Sequence, residues 1–194
     1  MSSAPSFRRR RPPRSYGGAA RSRHVIGIPL SLVFIGGVVG AVVLLRPLID
    51  PKPTNIHSPI TVLDGDTLRT GSETIRILNI DAPELHQTCR DERDREWPCG
   101  RTARKRLLEL TAKGEIACTS QGRDRFGRTL ATCKAKGVND IGEVMVREGL
   151  AVNFGGESGP YAAIEDDARS AKRGIWRGAF ERPRAWRDAH PRKD

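Results

Sequence analysis

Hydrophobic and polar positions follow three different patterns along the chain. From Val25 to Leu45 no charged residue interrupts 21 consecutive positions, which at about 1.5 Å of rise each span roughly the hydrocarbon thickness of a bilayer. This predicts one membrane-spanning helix, preceded by a polar, arginine-rich tail. After Pro51 the apolar residues recur in short runs. Thr54 to Leu63 and Thr67 to Arg69 carry β-branched and aliphatic residues on either side of Asp64-Gly65-Asp66, and Thr74 to Ile80 alternates apolar with polar as a half-buried strand does. These runs predict a three-stranded meander. Arg101 to Thr111 predicts an amphipathic helix, with Ala103, Leu107, Leu108 and Leu110 as its apolar stripe and Pro98 just ahead of it. Ile116 to Ser120 and Arg128 to Cys133 predict a hairpin around a turn region holding Gly122 and Gly127. Apolar Ile141, Val144, Met145 and Val146 predict a second helix over Asn139 to Glu148, capped by Asn139 or Asp140 and stopped by Gly149. A third is predicted over Tyr161 to Lys172, after the glycine-rich break Gly155 to Pro160.

Five strands, with one helix between the third and fourth and two helices trailing, predict a mainly β, α+β domain built on a small closed barrel of the OB type. The tail Arg177 to Asp194 is expected to pack against the barrel and then fray, with Pro183 between Trp176 and Trp186. The organisation expected is a basic tail over 1–24, the span over 25–45, a linker over 46–55, the folded domain over 56–176 and an extension over 177–194. Asp50-Pro51-Lys52-Pro53 makes part of the linker a semi-rigid extended spacer.

Charge adds a direction to this layout. The chain carries 34 Lys and Arg against 23 Asp and Glu, a net of +11, but eight of the basic residues and one acid lie in the first 50 positions. The remainder carries only +4, which hardly demands an acidic protein partner. Seven arginines precede the apolar run while Arg46 and Lys52 alone follow it closely, so the positive-inside bias places the N-terminus in the cytoplasm and the folded domain outside, in a periplasmic or extracellular space. A cleaved signal peptide fits less well, because its apolar region has roughly 7 to 15 residues and Leu44-Leu45-Arg46-Pro47 is no small-residue cleavage site. Arg8 to Arg11 lack the context of a twin-arginine export signal, and the tail reads as disordered and basic beside anionic lipid.

Cys89, Cys99, Cys118 and Cys133 all follow the apolar run and form no CxxC pair, which favours disulfides in an oxidising space over a zinc site. Three connectivities are possible. A hairpin centred between Arg125 and Phe126 sets Cys118 opposite Cys133, at the Cβ separation a disulfide needs. Cys89 and Cys99 then close the charged loop Arg90 to Pro98.

Three polar clusters remain: Asp64-Gly65-Asp66-Thr67, Arg76 with Asp81-Ala82-Pro83-Glu84, and Asp124-Arg125-Phe126-Gly127-Arg128. Taken singly, each is an ordinary turn, strand exit or basic loop. Taken in order, with Val146-Arg147-Glu148-Gly149-Leu150-Ala151 and Gly174-Ile175-Trp176, the stretch from Ile60 to Trp176 closely resembles the staphylococcal nuclease, or thermonuclease, family. The resemblance implies a monomeric, calcium-dependent nuclease that hydrolyses phosphodiester bonds of DNA and RNA. It assigns Asp66 and Asp81 as carboxylate ligands of Ca²⁺ and the backbone carbonyl of Ala82 as a third ligand, with Asp64 behind them. Glu84 matches the general base for the attacking water. Arg76 and Arg128 match the pair that grips the phosphate, and Arg125 and Phe126 stand where the family type contacts substrate through Lys and Tyr. An EF-hand is excluded as an alternative calcium site by the spacing of the acids.

The physical logic agrees with these assignments. Phosphodiester hydrolysis adds charge to the phosphoryl oxygens in the transition state, so two guanidiniums and a cation fixed in advance stabilise it more than the ground state. Arg donates two parallel hydrogen bonds to a phosphate. Departures concern affinity rather than chemistry: Phe126 lacks a phenolic hydroxyl, Val152 to Gly159 has no counterpart to a second nucleotide-contacting tyrosine, and a mixed-charge loop, read as a solvated cap, replaces a lysine-rich one. A non-catalytic nucleic-acid-binding module is the alternative function, and an anchored adaptor for an acidic partner a third. The complete set of acids and arginines favours the nuclease.

Overall fold

The computed structural model describes residues 54–56, 59–112 and 114–191. The predicted basic tail, membrane span and proline spacer lie outside these residues, and among the described residues no helix is long and apolar enough to cross a membrane.

Among the described residues ten strands occur, rather than the five predicted: β1 (Thr54–Ile56), β2 (Ile60–Val62), β3 (Thr67–Thr70), β4 (Glu73–Ile77), β5 (Ile80–Asp81), β6 (Cys89–Arg90), β7 (Glu96–Trp97), β8 (Ile116–Arg123), β9 (Thr129–Ala135) and β10 (Val152–Asn153). Six of them form one curled sheet in the order β1-β8-β9-β4-β3-β2. All its pairings are antiparallel except β4 with β9, which runs parallel with Ile75 opposite Thr129. The helices are α1 (Cys99–Thr111), α2 (Ile141–Arg147), α3 (Ala162–Ser170) and α4 (Pro183–Ala189). The molecule is thus mixed α+β, with four helices among the described residues rather than the three predicted.

The sequence reading needs correction at three further points. Thr54 to Leu63 is not one strand: β1 leaves the meander and pairs with β8, Thr54 opposite Cys118, while β2 pairs with β3. A β-branched run carries no information about which neighbour each half will find. In α1 the buried stripe is Ala103, Leu107 and Leu110, and Leu108 points out at 45% exposure. A 100° turn per residue carries position 108 away from the face that 103, 107 and 110 share. The tail does not simply fray, because Pro183 occupies the first turn of α4, where its fixed φ and missing N–H suit a helix start.

The main core joins Leu68, Ile75 and Ile77 of the sheet to Leu107 of α1 and Ile141 and Met145 of α2. Asp140 caps α2 by accepting from the Glu143 N–H at 3.3 Å. A smaller cluster lies beside it, formed by Cys89, Cys99, Val152 and Ile175 with Trp97, Trp176 and Phe180 packed against them. Both predicted disulfides, Cys89–Cys99 and Cys118–Cys133, are present. Cys118 stands directly opposite Cys133 in the β8–β9 register, which shifts by a bulge between Ser120 and Arg123.

Candidate active site

The site is assembled where the turn before β3, the strand pair β5–β10 and the start of α1 meet. Asp64 folds the turn by accepting the Asp66 N–H at 3.0 Å. Gly65 is required by close approach: a Cβ there would lie 2.6 Å from the Cβ of Ala82 and 2.7 Å from that of Ala103. The turn is thereby pressed between the Asp81-Ala82 segment and α1. Gly100 does the same from the other side, since a Cβ on it would fall 1.7 Å from the carbonyl oxygen of Glu84.

Asp66 is 2% exposed and every oxygen of its carboxylate is used. Oδ1 accepts from the Thr67 hydroxyl at 2.8 Å and from Arg76 Nη1 at 2.7 Å, and Oδ2 accepts from the Ala82 N–H at 2.9 Å. Arg76 lies on β4 opposite Thr67, on the face away from buried Ile75 and Ile77. Its Nη2 donates to Asp81 Oδ1 at 2.8 Å, so one guanidinium bridges the two aspartates. β5 pairs with β10, Asp81 opposite Val152, and this holds Asp81 in place from behind. Burial pushes the Asp66 carboxyl above its ordinary pKa, against the pull of Arg76 and the Ala82 amide. Burial also opposes the charge on Arg76, but Asp66 and Asp81 outweigh it and hold the guanidinium above the usual arginine value.

Glu84 sits in a turn organised by Gln87, whose N–H donates to the Glu84 carbonyl at 2.8 Å while its Oε1 accepts the Glu84 N–H at 3.2 Å. Gln87 is buried, and its carbonyl accepts the Gly100 N–H at 3.2 Å, tying the turn to α1.

A further arginine joins this group from the far end of the chain. Arg187 of α4 donates through Nη1 to Asp81 Oδ1 and Glu84 Oε1, and through Nη2 to Asp81 Oδ2, each at 3.0 Å. The charged groups alternate in sign: Asp66, Arg76, Asp81, Arg187, Glu84. Burial again works against the guanidinium, and its bonds to Asp81 and then Glu84 raise its pKa above the ordinary value. Sequence reasoning missed Arg187 and Gln87. For Arg187 the available signal is Pro183, a residue suited to the first turn of a helix.

Arg125, Phe126 and Arg128 form a second group on the turn between β8 and β9. Asp124 builds that turn, its Oδ1 accepting the N–H groups of Phe126 and Arg128 at 2.9 and 3.0 Å and its Oδ2 accepting Arg128 Nε at 2.7 Å. Against a desolvation cost that pushes it up, Arg128 and these amides hold the Asp124 carboxyl below the usual range. Phe126 is 67% exposed, with the guanidiniums of Arg125 and Arg128 at 4.7 and 5.6 Å from its ring centre. An exposed ring under two cations is suited to stacking on a nucleobase beside its phosphate. The structure thus brings Asp64, Asp66, Arg76, Asp81, Ala82 and Glu84 together, and holds Arg125, Phe126 and Arg128 as a unit on the turn that leads into β9, the parallel neighbour of β4.

Residues 74–178 match the model of the family of staphylococcal nuclease homologues. The chain belongs to the staphylococcal nuclease family. Among its relatives, a succinoglycan biosynthesis protein, ExoI, of Rhizobium meliloti is 33% identical over 149 residues, covering 76% of this chain and 77% of the relative. The micrococcal nuclease of Shigella flexneri is 30% identical over 177 residues, covering 82% and 95%. An uncharacterized endonuclease of Escherichia coli O157:H7 is 33% identical over 132 residues, covering 64% and 80%. This staphylococcal nuclease homologue is a nuclease, a hydrolase acting on nucleic acids.

Proposed function

We propose that the chain is a calcium-dependent nuclease that cleaves phosphodiester bonds of DNA and RNA outside the cytoplasm, held as a monomer on the membrane by its N-terminal apolar run, its curled sheet forming the OB-type barrel of the family. The observation that carries the reading is the alternating group of carboxylates and arginines, in which Glu84 stands beside the paired Asp66 and Asp81. The arginine asymmetry around Val25 to Leu45 and two disulfides in the folded domain support the outside location.

The donor set fits calcium. Asp66 and Asp81 are buried, adjacent and offer hard oxygens, and with the Ala82 carbonyl they would supply part of the six to eight oxygens that Ca²⁺ takes, the rest coming from water and substrate. When bound, Ca²⁺ supplies positive charge to the phosphoryl oxygens as negative charge builds on them. The protein's own groups do the rest. Arg76 is held in advance by two carboxylates, so no reorganisation is needed to present its remaining N–H donors to a phosphate. Arg128, oriented by Asp124, would grip the phosphate from the hairpin turn, and Phe126 and Arg125 would hold the neighbouring nucleotide. Glu84, fixed through Gln87, would take the proton of the attacking water.

The test is direct. The full chain in detergent micelles is incubated with plasmid, single-stranded DNA and RNA, with Ca²⁺ or with chelator. Cleavage that requires Ca²⁺ is expected; binding without cleavage would favour a nucleic-acid-binding module instead.

A further inference from the structure

Arg187 makes three contacts that the proposed reaction does not use. Its two terminal nitrogens lie 3.0 Å from both oxygens of Asp81, and one of them is also 3.0 Å from Glu84 Oε1. Asp81 is 4% exposed, and with Arg76 on Oδ1 and Arg187 on both oxygens its carboxylate is engaged entirely by protein cations. A divalent cation taking oxygen from Asp81 would meet the Arg187 guanidinium on the same atoms, and two positive charges a few ångströms apart in a partly buried site repel strongly.

The way the helix is held bears on the outcome. The segment leading into α4 is fastened at several points: the Ala179 carbonyl accepts the Arg90 N–H at 2.8 Å, the Glu181 carbonyl accepts Gln87 Nε2 at 2.6 Å, and Arg182 donates to buried Glu165 at 3.0 Å. Gly178 lies so close to the β6 end that a Cβ on it would meet the Arg90 carbonyl oxygen at 2.5 Å. By contrast α4 itself is seven residues long and buries only Pro183. A tight tether keeps Arg187 at high effective concentration near the site, while a lightly packed helix can let the side chain leave at small cost.

We infer that Arg187 is an internal cation that competes with the divalent metal for Asp81 and Glu84, so that the C-terminal helix restrains metal binding at this site. The inference rests on the assignment of Asp81 as a calcium ligand. With Arg187 in place neither Asp81 nor Glu84 presents its full charge to an incoming ion. The apparent affinity for metal is therefore the intrinsic one reduced by the fraction of molecules in which Arg187 has swung away.

Calcium titrated calorimetrically into the full chain in detergent tests this, with wild type compared to Arg187→Gln and to Arg184→Gln. Arg184 lies on the same helix and is exposed, so its loss removes the same charge without touching the carboxylates. Because Arg187 is one-third exposed at 34%, solvent screening sets the expected gain at roughly tenfold tighter binding in Arg187→Gln, with Arg184→Gln within about twofold of wild type. Should Arg187→Gln fail to fold by circular dichroism, Arg187→Lys, whose point charge cannot span three oxygens, is expected between wild type and that tenfold gain. Equal or weaker affinity in the Arg187 variants, or no calcium binding by any of the proteins, overturns the inference. Plasmid cleavage by wild type is scored separately. Cleavage with equal affinities removes the internal competitor and keeps the nuclease assignment, whereas tighter binding in Arg187→Gln without cleavage of any nucleic acid keeps the competitor and removes the calcium-dependent reaction.

Discussion

Glu84 is the residue on which the proposed chemistry turns, because it is the carboxylate that stands beside the two aspartates, with Arg187 bridging it to Asp81. Glu84→Gln keeps the shape and removes the proton acceptor, so kcat should fall by roughly 10² to 10⁴ while nucleic-acid binding persists. Turnover and substrate affinity measured on the same preparation check this, and an unchanged kcat would assign the base elsewhere. Arg76 is argued from geometry: one planar fork reaches Asp66 at 2.7 Å and Asp81 at 2.8 Å. A lysine cannot bridge both, so Arg76→Lys should lose activity by orders of magnitude with the fold retained, as read by rate and by circular dichroism together. Removing Arg76 altogether would leave two buried carboxylates facing each other, which is a test of stability more than of catalysis.

At the scale of elements, α1 does two jobs. Its buried stripe closes the core, and its first turn supports the Glu84 segment through Gly100. Leu107→Ala should destabilise by about 2 to 5 kcal/mol, whereas exposed Leu108→Ala should change little. Paired urea denaturation curves would expose the wrong face if the order were reversed. Gly100→Ala acts on the site instead. The added methyl meets backbone rather than a flexible side chain, so the Glu84 turn must move, costing about 1 to 3 kcal/mol. Activity should drop by more than the loss of folded protein explains, which single-temperature rates on a sample shown to be folded will reveal. The hairpin β6–β7, expected as a solvated cap, is largely exposed between Arg90 and Glu96 and is organised by Asp91, which accepts the N–H groups of Arg93 and Arg95 at 2.8 and 3.0 Å.

Across the whole molecule the two disulfides fasten different things. Cys118–Cys133 joins neighbouring strands of the sheet, while Cys89–Cys99 lies in the small cluster with Ile175, Trp176 and Phe180, just ahead of the segment that carries Arg187. Each should contribute on the order of 2 to 4 kcal/mol. Denaturation with and without reductant, repeated on Cys89→Ser/Cys99→Ser, separates the two contributions. Loss of the Cys89–Cys99 bridge should also loosen the C-terminal segment, seen as faster amide exchange at Trp186 and His190, whose N–H groups bond to the Arg182 and Trp186 carbonyls at 2.9 Å. Unchanged exchange would show that the segment is held by its polar contacts alone.

Local chemistry determined most of what could be read directly. The turn at Asp64 to Asp66, a cap at Asn139 or Asp140, the stop at Gly149 and the opposed cysteines depend on neighbours in sequence or across one hairpin, where spacing is itself the geometry. Asp66, Arg76, Asp81 and Glu84 were gathered through the family resemblance of the ordered motifs, and the strands that carry them follow one another closely, as strands that pack together tend to do. Partners far apart in sequence were beyond reach. Nothing near Thr54 says that it will pair with β8, and nothing near Gln87 says that its side chain will bind the Glu181 carbonyl 94 residues away. Arg187 is the clearest case: in sequence it is one of many basic residues in a polar tail, and only the path of the chain through Trp176, Phe180 and Pro183 brings it onto Asp81 and Glu84. Contact between distant segments is decided by how the whole core packs, and a charge acquires its role from the opposite charge that packing sets beside it.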